Sequence, residues 1–138
     1  MPSAIIQRIE CNLPIVARPS EDDCWYASLD VPRELATLHA DTRLNVLDTI
    51  SASLGELRRL NQQTESVDGI TRQPWVIVNC SLWLRRATTN EWRTSVNFSW
   101  PDVWADFTRT GREGVLAAIA DALDETRQLI RAQSRREA

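Results

Sequence analysis

The chain contains no lysine: all 16 of its positive charges are arginine, set against 19 acidic residues for a formal net charge of -3. That balance gives no overall electrostatic pull towards nucleic acid or an anionic membrane. Glycine occurs only at positions 55, 69, 111 and 114, so neither a phosphate-cradling loop nor a dinucleotide fingerprint can be built. Histidine occurs once, at His39, and there is no Gly-x-Ser-x-Gly elbow, which deprives nucleophilic catalysis of its usual base and its usual turn. The three cysteines, Cys11, Cys24 and Cys80, are scattered. With one histidine they do not supply the four clustered ligands of a zinc site, and their odd number argues against a secreted disulfide framework. Glu21, Asp22 and Asp23 read as a solvated turn. No apolar run approaches the roughly 20 residues that span a bilayer, and Arg8 and Glu10 fall where a signal peptide would be apolar. These absences lead to the expectation of a cytoplasmic protein that is not an enzyme, with no cofactor, no metal and no membrane partner.

Hydrophobic residues make up 43% of the 138 residues and charged residues 25%. This is ordinary globular composition, and at this length a chain buries roughly two-thirds of its unfolded surface. A single domain spanning residues 1–138 is expected. Residues 5–18 alternate, with Ile9, Cys11, Leu13 and Ile15 on one side and Arg8, Glu10, Asn12 and Val16 on the other, the period of a half-buried strand. Pro14 within that run predicts an edge position or a bulge. Residues 19–23 read as a hairpin connection, and Trp25 to Val31 as the return strand. Pro32 to Ala40 reads as a short helical turn, with a short third strand as the alternative, and Pro101 to Arg109 leaves the same choice open. Asp41 or Thr42 is the expected cap of a helix running to about Gln63, whose Val46, Leu47, Ile50, Leu54, Leu57 and Leu60 recur at three-and-four spacing. Polar residues 64–73 form a linker.

The plan then repeats. Residues 75–86 alternate, with Val76, Val78, Cys80, Leu82 and Leu84 inward and Trp75, Ile77, Asn79, Ser81, Trp83 and Arg85 outward. A hairpin loop over 87–91 leads to a strand over 92–100. Thr110 and Glu113 form a predicted capping box for a helix from Gly114 to Gln133. Val115, Leu116, Ile119, Leu123 and Leu129 each match the residue 69 positions earlier, half the chain length. The identities Cys11 with Cys80, Arg43 with Arg112, Glu56 with Glu125 and Arg58 with Arg127 are not demanded by helical or strand periodicity, and neither are the paired Pro32 and Pro101. A tandem duplicated strand-strand-helix unit, about 1–66 and 70–138, is therefore expected, with an offset of 67 along the second strands. It would form an α+β fold in which one antiparallel sheet of four or more strands carries two long helices on one face.

That arrangement leaves the other sheet face open. Trp83, Trp75, Tyr26, Arg85, Ile77 and Arg93 are its candidate partner-binding residues, because large apolar groups ringed by Ser, Asn and Arg have the composition of a protein interface. The expected function is a small non-catalytic protein-binding module, an immunity protein, antitoxin or adaptor of a bacterium or phage. Two alternatives use the same face. One is nucleic-acid binding through Arg85, Arg86 and Arg93, disfavoured by the acidic balance. The other is an obligate homodimer.

Overall fold

The computed structural model describes residues 8–20, 24–63, 75–88 and 91–137. The acidic turn at 21–23 and the linker at 64–74 lie outside them. The protein is an α+β fold built on one four-stranded antiparallel sheet of β1 (Arg8–Pro19), β2 (Trp25–Leu29), β3 (Val76–Thr88) and β4 (Glu91–Ser99) in the order β2-β1-β3-β4. Three helices follow the hairpins: α1 (Arg33–Ala36) and α2 (Ala40–Gln63) after β2, and α3 (Arg109–Glu137) after β4 and a 3-10 turn over Asp102–Asp106. The segments after the two hairpins are thus short helical turns and not extra strands.

Period-two alternation decides which face of each strand is buried. Leu13, Ile15 and Ala17 of β1 and Val76, Val78, Cys80, Leu82 and Leu84 of β3 join Val46, Leu47, Ile50 and Leu54 of α2 and Val115, Leu116, Ile119 and Leu123 of α3 in one hydrophobic cluster. Helix α3 touches β2 and β1, α2 touches β4, and the two helices touch each other. Two guanidinium groups link them across their surface. Arg58 reaches Glu113 at 2.5 Å, and Arg127 reaches Asp48 at 2.8 Å.

Several expectations need correction. The edge expected at Pro14 is found on one side only: the residue lies opposite Asn79 of β3 without a bulge, and the β2 ladder begins one residue on, at Ile15. The Pro14 carbonyl accepts the Asp30 N–H at 3.3 Å, so its missing donor faces the β2 side, where the ladder covers only Ile15 to Pro19. The residue is tolerated because β1 is central over one half of its length and an edge over the other. Helix α2 begins at Ala40 and is capped by His39, whose Nδ1 accepts the Asp41 N–H at 3.2 Å, and not by Asp41 or Thr42. Helix α3 is capped by Thr108, whose Oγ1 accepts the Gly111 N–H at 2.9 Å. Glu113 is therefore free of the capping box and pairs with Arg58 instead. Leu60 and Leu129 are exposed, and Asn61 and Ile130 turn inward in their place. Strand structure reaches Thr88 and resumes at Glu91, within the loop expected over 87–91.

Cross-strand register places Asn12 opposite Ser81, two residues 69 apart whose side chains share a 3.1 Å hydrogen bond. On either side, Cys11 faces Leu82 and Leu13 faces Cys80, the same pair seen from opposite ends. The outer strands depart from the expected offset of 67. Val16 pairs with Ser28 while Arg85, its counterpart 69 residues on, pairs with Arg93, an offset of 65.

Two glycines make opposite predictions. A Cβ on Gly114 in α3 would stand 2.8 Å from Cδ1 of Trp25, a ring backed by Phe107 at 6.1 Å between centroids. Forcing that contact costs about 1–3 kcal/mol, which exceeds the helix-propensity gain of about 1 kcal/mol. Gly114→Ala is therefore expected to destabilise. A Cβ on Gly55 in α2 meets nothing within 4 Å, so Gly55→Ala is expected to stabilise by about 1 kcal/mol. Urea denaturation of the two variants reads both signs.

Candidate partner-binding face

The outward residues of the sheet form rows across the strands. At one end, Arg8 of β1, Arg85 of β3 and Arg93 of β4 stand side by side, since Arg8 pairs with Arg85 and Arg85 with Arg93. The next row holds Glu10, Trp83 and Ser95. These six residues line a shallow depression of about 690 Å³. The one acid in the two rows, Glu10, lies 3.8 Å from Arg8 with both side chains exposed, so the row keeps an excess of positive charge. Like charges set directly opposite one another oppose sheet formation.

Beyond this patch comes a polar belt of Asn12, Ser81, Asn97, Asn79 and Ser99, and then a second apolar end. There Ile77 pairs with Val16, and Tyr26 pairs with Arg18. Trp75 lies just before β3. Trp83 is 42% exposed, Ile77 38%, Trp75 53% and Tyr26 61%. The structure therefore brings Trp83, Arg85 and Arg93 together and sets Ile77, Trp75 and Tyr26 apart from them. Six residues separate Trp83 from Ile77, roughly 20 Å along a strand. Arg8 and Glu10 complete the first cluster without having been singled out. Their alternation in the sequence shows which way they point, but only the β1–β3 register shows what they stand beside.

Arg86 also lines this depression. Its guanidinium lies 4.8 Å from the centre of the Trp92 ring, a side chain buried on the helix-covered side. The remaining tryptophans are also scaffold. Trp100 stacks on Trp104 at 4.3 Å, Trp104 packs against Phe107 at 5.3 Å, and Phe107 reaches Trp25.

No protein-family model, curated protein sequence or solved structure matches this chain. Chemistry at the surface must therefore be read from the residues themselves. Among the described residues, no group of three or more His, Cys, Asp or Glu side chains could hold a metal ion, and none of the helices is long and apolar enough to cross a membrane. His39 is an exposed capping group. Cys24 is exposed, Cys11 half-buried and Cys80 buried.

Burial pushes the Cys80 thiol up from 9.0 to about 12, with the nearby Cys11 adding to the effect. The unfolded chain ionises this thiol first, so folding stability is unaffected below pH 9.0 and falls as pH rises from there to about 12. A thiol reagent at neutral pH is expected to modify Cys24 first and to reach Cys80 only on unfolding. Mass spectrometry after timed labelling checks the order.

Proposed function

We propose that this protein is a small non-catalytic binding module that engages an acidic partner protein through its open sheet face. The observation that carries this is the row of Arg8, Arg85 and Arg93 with Trp83 exposed beside it. Three guanidinium groups in one row cost the free protein repulsion, and a partner carboxylate in the depression relieves it with bidentate hydrogen bonds. Trp and Arg together are also the residue types that most often dominate binding energy. Trp75, Ile77 and Tyr26 supply a second contact at the far end of the same face. Immunity proteins, antitoxins and secretion adaptors of bacteria and their phages work by covering a partner in this way, and a cytoplasmic module of that class is the role that fits.

The scaffold behind the face is a duplicated strand-strand-helix unit, about 1–66 and 70–138, folded as one domain with its two long helices on the covered side. Support for the duplication comes from features that periodicity does not require. Asn12 meets Ser81 at the point where the two halves cross. The caps His39 and Thr108 stand 69 apart, as do the turns begun by Pro32 and Pro101, with Leu35 N–H to the Pro32 carbonyl at 3.0 Å and Trp104 N–H to the Pro101 carbonyl at 2.9 Å. Arg58 and Arg127, another pair at that spacing, each tie one helix to the other.

One observation favours nucleic acid instead: an aromatic ring beside three arginines is a stacking platform beside a phosphate track. Against it stand the net charge of -3 and the engagement of the Arg86 guanidinium over the Trp92 ring. Titration with random single-stranded and duplex oligonucleotides at low salt separates the two. No binding is expected, and salt-dependent binding that weakens in Arg93→Ala would replace the protein partner by nucleic acid. Sedimentation at micromolar concentration is expected to give a monomer, and a dimer whose interface includes Trp83 would make the partner a second copy.

A further inference from the structure

Two of the depressions lined by the helices correspond to each other across the two halves of the chain. The seven residues lining the one of about 160 Å³ all have counterparts 69 positions away lining the one of about 230 Å³. Trp100, Trp104, Arg112 and Leu60 of the smaller correspond to Val31, Leu35, Arg43 and Leu129 of the larger. The difference lies in what fills them. In the smaller, the Trp100 and Trp104 rings stack at 4.3 Å. Arg112 stands over the Trp104 ring at 5.8 Å and donates to the carbonyls of Trp104 and Ala105 at 3.2 and 3.0 Å. In the larger, both indoles are replaced by aliphatic side chains, and the Nε of Arg43 is buried with no hydrogen-bond partner among the described residues.

Three features of the larger depression specify an occupant. Its walls are apolar except for Arg43, Thr126 and Gln133, and Arg43 is the one charged group. An orphaned buried donor is costly, and charge complementarity requires the occupant to bring an acceptor oxygen. The volume suits a flat ring, since an apolar cavity of about 150 Å³ already admits benzene. Leu129, 59% exposed on the rim, repeats at the position of Leu60, so the mouth is apolar in both halves.

We propose that the depression formed by Val31, Leu35, Arg43, Leu47 and Leu129 is a socket for a tryptophan side chain of a partner polypeptide. The indole takes the place that Trp100 and Trp104 fill in the other half, and Arg43 donates to a backbone carbonyl beside it. The inference rests on the duplication proposed above and not on the open sheet face, so the two sites bind independently.

N-acetyl-L-tryptophanamide, an indole flanked by two carbonyls, is the minimal probe. Titrated into the full chain and followed by amide and methyl NMR shifts, it is expected to saturate at millimolar concentration with the largest shifts at Val31, Leu35, Leu47 and Leu129. Val31→Trp supplies the missing ring from the chain itself and is expected to weaken binding at least tenfold. Leu129→Glu, a rim substitution at an exposed position, is expected to do the same and serves if Val31→Trp does not fold. Trp83→Ala with Arg85→Ala is expected to leave the titration unchanged. Absence of saturable shifts, shifts centred on Trp83, or binding that survives both socket variants would overturn the proposal. So would a dimer of the free chain that Leu129→Glu converts to monomer, since the occupant would then be a second copy. If Ile50→Ala and Ile119→Ala, core truncations 69 positions apart, destabilised the chain by very different amounts while the socket titration stayed intact, the duplication would fall and the socket would stand on its measured binding.

Discussion

Ile50→Ala is expected to cost about 2–5 kcal/mol, and Ile119→Ala a loss in the same range. Both side chains are wholly buried in the one hydrophobic cluster, and they occupy positions 69 apart on α2 and α3. Each leaves a void that packed strands on one side and a neighbouring helix on the other can only partly close. A domain of this size is stable by about 5–15 kcal/mol, so either change removes a large share of the total. Urea denaturation with a constant slope reads the two losses directly. A duplicated scaffold makes them comparable. If one variant unfolded while the other lost less than about 1 kcal/mol, well below the range for such a truncation, the two helices would not be equivalent supports of the sheet.

The second large effect belongs to binding. Trp83→Ala and Arg85→Ala each remove a group of the kind that costs about 2 kcal/mol or more at the centre of an interface. Together they are expected to lower partner affinity at least 100-fold. Their effect on folding has the opposite character. Both side chains are exposed, and Arg85 stands between Arg8 and Arg93, so its removal relieves repulsion worth a few tenths of a kcal/mol. Stability is expected to stay level or rise slightly while binding falls. Parallel thermal unfolding and affinity measurements on the same samples check both halves, and a loss of binding that tracks a loss of stability would assign these residues to the scaffold.

The elements themselves were legible in the sequence because their burial follows simple periods. Alternation in residues 8–18 and 75–86 and three-and-four spacing from Val46 and Val115 point to the faces that are buried. Helix caps lie two or three residues before the expected ones, and α3 starts five residues before Gly114, because His39 and Thr108 cap through geometry that several nearby polar residues could equally supply. Pro14 marks an edge, at the point where the β2 ladder stops, but the length of β2 that puts the edge inside a central strand is encoded in no local pattern. The leucines at 60 and 129 fit the helical stripe yet lie at its exposed margin, where the helices run past the sheet. The candidate site was legible only as a list. Which outward residues touch depends on the register between β1 and β3, strands far apart in the chain, and it is this register that adds Arg8 and Glu10 to Trp83 and separates Trp75, Ile77 and Tyr26 from it. The registers of the outer strands, with Val16 against Ser28 and Arg85 against Arg93, are likewise encoded in no local pattern.

Site-specific photo-crosslinking inside the cell of origin tests the central claim most directly. A photoreactive side chain placed at Ser95 or Asn97, on the open face beside Trp83 and Arg85, is compared with one at Glu56, exposed on α2. The account predicts that the sheet positions give one discrete adduct with another protein, that the adduct is lost when Trp83 and Arg85 are alanine, and that the helix position gives none. Adducts from Glu56 with none from the sheet face would contradict it.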